Sequence, residues 1–474
     1  FRLDRPAQVR MDAVRTDTIR EGRPSEESVW STTASFGRGV HRLAWRPAAA
    51  TPPRTYILRL TVTDGAGRRR VYGDERPWRK RISAPVVRVQ GIDLGFTRRS
   101  YAPGEQAAVT VGSDARSLKL QVFAYGNQSH PTQRDLRTSG AAMTPPLQIA
   151  WSAHRDRPAL VRFVRAGDWA SGLYFLRATA GDGRVGYAPL IVRPKRLGTT
   201  RVAVVLATST WQAYNFDDAN GDGWGDSWYV SSAQRSVDLS RPFLDFGVPF
   251  RFKDWDLTFV SWLNRTAKSV DYLSDDDLER VATGDELARA YDLIVFPGHE
   301  EYVTRHMYDV VARYRDLGGN LAFLAANNFY WRVDRKGDRL TRVKQWRDLG
   351  RPEAALVGAQ YVGSNHGATQ AGYTVAGADV DPWVFAGTNL VNGDPFGRYG
   401  IEIDGTTVDS PWGTRVLARI PNLMGPGRSA EMTYYETPAG AKVFDAGAIN
   451  FAASLDEPRI ARLLQNVWEK LAVP

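Results

Sequence analysis

Three short segments concentrate residue types that do chemistry. Thr208-Ser209-Thr210-Trp211-Gln212-Ala213-Tyr214-Asn215 offers hydroxyls, amides and a phenol. Gly298-His299-Glu300-Glu301-Tyr302 sets a histidine, two carboxylates and a phenol on neighbouring positions. Ala325-Ala326-Asn327-Asn328-Phe329-Tyr330-Trp331 adds two amides and more aromatic rings. A histidine beside carboxylates is equipment for moving protons near neutral pH. Phenolate and carboxylate oxygens are hard donors that suit a hard cation such as ferric iron. Ordinary connections show Ser, Asp and Gly instead. Further along, Tyr434-Tyr435-Glu436-Thr437-Pro438 supplies another carboxylate.

The elements that must position these segments are legible around them. Arg201-Val202-Ala203-Val204-Val205-Leu206-Ala207, Tyr291-Asp292-Leu293-Ile294-Val295-Phe296 and Asn320-Leu321-Ala322-Phe323-Leu324 are apolar runs without alternation, as expected of strands buried on both faces. Each ends where one of the three segments begins. Helix-like stretches near 241–247, 255–266 and 303–316 lie between them, and Ser274 with Asp275, Asp276 and Asp277 opens a short helix. Strands alternating with helices predict a mainly parallel, doubly wound sheet over 196–474, which binds ligands beyond the carboxyl ends of its strands. After about 345 the pattern loosens into short strands and Gly-rich loops, closing on a helix at 457–471.

Upstream, two smaller β-modules are expected. Residues 1–84 contain Tyr56-Ile57-Leu58-Arg59-Leu60-Thr61-Val62-Thr63, whose alternation puts Tyr56, Leu58, Leu60 and Val62 on one face. Residues 85–195 carry further short strands joined by Gly-rich turns, the spacing of a sandwich. Both are read as immunoglobulin-like β-sandwiches, serving as spacers or binding platforms.

Composition narrows the function. The chain has 474 residues and no cysteine, so disulfides, thiolate metal sites and a cysteine nucleophile are excluded. Its formal charge is +10, but the arginines are scattered. The clusters Arg68-Arg69-Arg70 and Arg79-Lys80-Arg81 interrupt strand-like segments, no recognition motif accompanies them, and no nucleic-acid partner is expected. No apolar run approaches the roughly 20 residues of a membrane helix. A first residue Phe1 together with sandwich modules favours a secreted or cell-surface protein over a cytoplasmic one. There is no G-x-S-x-G elbow, no P-loop and no G-x-G-x-x-G after the first buried strand. Between Tyr214 and Tyr229, Asp218, Asn220, Asp222 and Gly223 fit the first half of a calcium loop, with Tyr229 where the bidentate glutamate would stand. A calcium site and an Asp/Gly-rich surface turn are both compatible with that pattern.

"TWQAYN" at 210–215, "GHEEY" at 298–302, "ANN" at 326–328 and "YYETPAGAKVFDAGAINF" at 434–451 together resemble the large (beta) subunit of the N,N-dimethylformamidase family, over about 200–474. The resemblance implies a class I glutaminase amidotransferase-like α/β fold that hydrolyses amide C–N bonds at a single iron ion. Carried over by motif, Tyr214 and Glu301 match metal ligands, with Tyr229 in "DSWY" as the second tyrosine. His299, Asn327 and Glu436 match residues that orient the substrate or exchange protons with it. A small amide substrate is implied, together with a small accessory subunit or a homo-oligomer. The alternative is a non-catalytic, calcium-stabilised cell-surface or carbohydrate-binding protein, whose aromatic tips would form a sugar platform among the fifteen tryptophans. A different hydrolase on the same scaffold is the third reading.

Overall fold

The apolar run at 201–207 becomes the strand Val202–Leu206, buried along its whole length in the computed structural model. The structure describes residues 1–20, 23–73, 85–125, 140–155, 157–166, 168–229 and 234–473. The basic cluster at 79–81 and the expected module boundary at 84 lie outside the described residues. The chain is multidomain and mostly β, with several sheets and few helices.

A nine-stranded sheet carries the C-terminal part. Its order is Asp271–Ser274, Val202–Leu206, Leu293–Phe296, Asn320–Phe323, Lys442–Asp445, Ala430–Glu436, Arg415–Ile420, Gln370–Val375 and Pro395–Gly400. The first five strands pair in parallel. The rest pair antiparallel. The expectation of a mainly parallel sheet is therefore corrected to a mixed one. The reason lies in the connections. Parallel neighbours need a crossover, which helices supply up to residue 316, whereas the strands after 360 are joined largely by loops and turns.

Successive residues of the parallel strands enter two different cores. Val202, Val204, Leu206, Leu293 and Val295 face one side, with Trp262 and Leu263 of Thr258–Arg265 and with Ile460, Leu463 and Leu464 of Pro458–Leu471. Ala203, Val205, Ile294, Phe296 and Leu321 face the other, with Leu287 of Gly284–Ala290 and with Met307, Val310 and Val311 of Arg305–Asp316. Burial on both faces accounts for the absence of alternation in the sequence.

The upstream modules differ from each other. Residues 92–192 form two facing sheets that share a core including Leu94, Val109, Val111, Leu120, Val122, Leu176 and Leu190. The outer face of the larger sheet presents Phe123, Phe175, Tyr187 and Ile191, which join the core of the nine-stranded sheet. The first module departs from a two-sheet sandwich. Among the described residues it is one antiparallel sheet of Arg23–Phe36, Ala7–Arg20, Thr55–Asp64, Arg69–Tyr72 and Val86–Arg88, with a small ribbon pairing Arg2–Leu3 with Gly39–Val40. Leu60 and Val62 pack on one face as expected, but Ile57 is fully buried on the other, against Phe216 and Trp224.

One buried ion cluster fastens the second module to the large domain. Asp276 follows Ser274, whose hydroxyl and N–H form a capping box with Asp277. Arg99 donates to Asp276 at 3.0 Å and Arg335 at 2.6 Å, and Ser100 donates to Asp277 at 2.8 Å. Burial would raise the Asp276 carboxyl, but the two guanidinium groups hold it below its ordinary 3.8. Its stabilising charge is therefore fully present above pH 3.8 and is lost as the pH falls through the lower folded value. Replacing Asp276 by Ala removes the carboxylate shared by two part-buried guanidinium groups, leaving Arg99 only its pair with Asp338, and is expected to cost about 3 kcal/mol. A thermal melt at pH 7 checks this, with Asp285→Ala, which breaks only the exposed pair with Arg313, expected to leave the midpoint in place.

Candidate active site

Three strand tips meet at the carboxyl edge of the parallel strands. Tyr214 closes the one-and-a-half-turn helix Thr208–Ala213 that follows Val202–Leu206. The Thr210 hydroxyl accepts the backbone N–H of Glu301 at 3.1 Å, tying that helix to the segment after Leu293–Phe296. The phenol of Tyr214 donates a short hydrogen bond to the Glu301 carboxylate, and both side chains are buried. Glu301 does not cap the following helix; the Thr304 hydroxyl does so by accepting the Met307 N–H.

His299 lies beside this pair. Its Nε2 is 3.7 Å from a carboxylate oxygen of Glu301 and 3.7 Å from one of Glu402, and its ring packs against Tyr214 and Trp255. Neither ring nitrogen makes a well-formed hydrogen bond. Burial lowers its pKa to about 3, the nearby Asn327 backbone opposing only part of that shift, so the imidazole is neutral rather than poised near pH 7 as sequence alone suggested. Asn327 sits in the left-handed region, φ 58°, at the tip after Asn320–Phe323. Its side-chain N–H donates to Glu402 at 2.9 Å, and its side-chain oxygen has no partner.

The site carries an excess of buried acid. Burial, then the charge of Glu402, pushes Glu301 up to about 8, although Tyr214, Tyr302 and Arg342 oppose it. Burial pushes Glu402 up to about 7 against the hydrogen bond from Asn327. The Tyr229 ring stands edge-on to Tyr214 at 5.4 Å between centroids, and its phenol is pushed up to about 12 by burial and by the charges of Glu402 and Glu301, with Arg251 opposing. Tyr330 and Tyr361, half-buried and 5.1 Å apart, also feel both carboxylates.

The structure thus brings together Tyr214, Tyr229, His299, Glu301 and Asn327. It does not bring Glu436. That residue pairs with Lys442, at the start of a strand whose end, Asp445, lies at the site edge, so Glu436 sits at the opposite edge of the sheet. There it accepts the Tyr434 hydroxyl at 2.6 Å and is about half exposed. Glu402 occupies the place expected of it. The missed signal was Ile401-Glu402-Ile403-Asp404-Gly405: two acids on one face of a strand whose intervening isoleucine is itself fully buried, leaving neither face to solvent.

The donor set fits a hard cation. The Tyr214 phenol and the Glu301 carboxylate meet in a buried contact, the Tyr229 ring lies beside Tyr214, and no Lys or Arg is bonded to Glu301 or Glu402 among the described residues. No three His, Asp or Glu side chains among the described residues are grouped to hold an ion, so the tyrosines are essential to that reading. The Asp/Gly loop behaves as a self-bonded turn. Asp218 accepts the Asp222 and Gly223 N–H groups, Asn220 accepts that of Asp222, and Asp222 accepts that of Trp224. Each of these oxygens keeps lone pairs beyond the backbone bond, so the turn geometry is compatible with both the surface-turn and the calcium reading of Asp218, Asn220 and Asp222. Of the aromatic tip residues, Trp211 is buried, whereas Tyr330 and Trp331 are partly exposed.

The loop that delivers Tyr229 leans on the first module. The Thr16 hydroxyl donates to the Gly223 carbonyl at 2.6 Å, and Ile57 fills the space beside Gly223, where a Cβ would come within 2.5 Å of it. Phe216, Trp224, Tyr229 and Phe250 share that small core.

The family model described as N,N-dimethylformamidase beta subunit-like, C-terminal, matches residues 148–466. The chain is similar to the N,N-dimethylformamidase beta subunit of Paracoccus aminophilus, 23% identical over 397 residues, covering 63% of this chain and 52% of that protein. It is also similar to the protein of that name from Alcaligenes sp, 32% identical over 95 residues, covering 20% and 12%. The chain spans about half the length of the Paracoccus protein.

Ile57→Ala, which empties the contact behind Gly223, is expected to cost about 3 kcal/mol. It should also shift tryptophan emission through Trp224 and speed proteolysis between 216 and 229. Emission and cleavage matching the parent would show that the loop stands without this support.

Proposed function

Because the chain belongs to the N,N-dimethylformamidase beta subunit-like, C-terminal family, we propose that it is a hydrolase of amide C–N bonds, on the amidotransferase-like α/β scaffold that the family resemblance implies. The observation that carries this is the convergence of Tyr214, Glu301, His299, Glu402 and Asn327 in one buried cluster at the carboxyl edge of the sheet. Oxygens of Tyr214, Tyr229 and Glu301 would hold a single iron ion. Such an ion, when bound, polarises a carbonyl and makes water a better nucleophile.

The chain's own residues divide the remaining work. The free side-chain oxygen and the amide of Asn327 orient the substrate amide and Glu402. Glu402, pushed up to about 7, takes a proton from the attacking water and returns it, while neutral His299, within 3.7 Å of both acids, helps to orient that water. Water adds to the carbonyl carbon, the C–N bond breaks, and the proton goes to the departing nitrogen, leaving a carboxylic acid and an amine. The half-buried rings of Tyr330 and Tyr361 lie within electrostatic reach of both acids. The relatives are named as beta subunits, which favours an accessory subunit as partner.

Metal analysis of protein purified without added metal, paired with amide hydrolysis, tests the assignment. Iron near one per chain, with a visible phenolate-to-iron absorption band, is expected for the parent. Tyr214→Phe and Glu301→Gln should lose iron. Glu402→Gln should keep it and lose about a hundredfold in rate, as for a residue moving protons. Glu436→Gln should hydrolyse like the parent. Full iron in Glu301→Gln, or an unchanged rate in Glu402→Gln, would refute the assignment.

A further inference from the structure

Behind Asn327 lies an acid with no evident electrostatic reason to be there. Asp404 is 0% exposed. It stands two residues after Glu402 on the strand Glu402–Gly405, so both side chains leave the same face. The strand is fixed over the site edge by the bridge from Ile403 to Ala448 and by the Asp404 N–H donating to Gly447 at 3.0 Å. One carboxylate oxygen of Asp404 accepts the backbone N–H of Asn327 at 2.8 Å; the other has no partner. Its acidic neighbour Asp445 is also 0% exposed, and among the described residues the Gly447 backbone is the one hydrogen-bonding group that acts on it. Arg347, the cation that acts on Asp404, is itself hydrogen-bonded to Glu353 at 3.0 Å.

Burying a carboxyl group without an ion pair costs free energy that an apolar side chain would not. What Asp404 does hold is the backbone of a residue in the left-handed region, a conformation that non-glycine residues adopt at a cost and keep only when their surroundings fix it. We propose that Asp404 is a positioning residue for the hydrolytic site, clamping the left-handed backbone of Asn327 so that its side-chain amide is delivered to Glu402 and, through Glu402, to His299. Asp404 acts through Asn327 and touches no reacting atom. The role rests on the hydrolase reading for its purpose, but the clamp itself does not.

The test compares Asp404→Asn and Asp404→Leu in the full chain. Asn keeps an oxygen for the Asn327 N–H; Leu keeps the bulk and removes the acceptor. Asp404→Leu is expected to lower kcat about tenfold or more, the scale of one misplaced polar contact, with KM changed less and iron content unchanged. Asp404→Asn should restore kcat to within about threefold of the parent. Hydrogen exchange at the Asn327 amide should quicken at least about tenfold in the Leu variant and not in the Asn variant. If the parent hydrolyses no amide, the hydrolase reading fails while amide exchange still judges the clamp. Exchange at Asn327 that is equal in all three proteins, or a Leu variant with parental kcat, would overturn the proposal.

Discussion

Carboxyl groups taken out of water need a cation, a proton or well-aimed donors, and this molecule concentrates them where ordinary cations are scarce. Glu301, Glu402, Asp404 and Asp445 gather at one edge of the large sheet, all pushed above the ordinary range chiefly by burial. A second group, Asp256, Asp275 and Glu300, lies beneath the same tips and is displaced in the same direction for the same reason. Such an arrangement is expensive in the folded state. It is retained where a site requires negative charge and acceptors in a low-dielectric pocket.

The rest of the architecture keeps that cluster in register. Parallel strands deliver three tips to one edge, and two cores hold the sheet from both sides. The tips are cross-tied by short polar contacts rather than by packing alone, with Thr210 bridging the first to the second and Asn328 accepting the Glu300 N–H to bridge the second to the third. The antiparallel half contributes differently. It supplies no tip; a separate two-stranded ribbon of Gln360–Ser364 and Glu402–Gly405 lies beside Gly447 and Ala448 at that edge and brings Glu402 to the cluster.

Much of this was legible in the residues because the physics is local. Val202–Leu206, Leu293–Phe296 and Asn320–Phe323 read as doubly buried strands since none alternates, and Tyr214, His299, Glu301 and Asn327 follow from where those strands end. What failed is non-local. Nothing in the stretch 430–436 says in which direction its strand runs, and an antiparallel run sends Glu436 to the far edge. Glu402 was hidden because its value depends on a crossing that composition does not encode. The single-sheet form of the first module was missed for a similar reason, since Ile57 looks like a lapse in alternation until Phe216 and Trp224 are set against it.

That contact has a bearing on how the chain is to be compared with its relatives. The region shared with the family begins at residue 148, whereas Thr16 and Ile57, which brace the loop under Tyr229, lie well before it. The residues clustered around Glu301 thus fall inside the matched region, while the residues that brace the loop leading to Tyr229 fall before it. Two proteins matching over the whole of that region can differ in how firmly Tyr229 is held, and a fragment trimmed to its bounds would keep the clustered side chains while losing the contacts of Thr16 and Ile57.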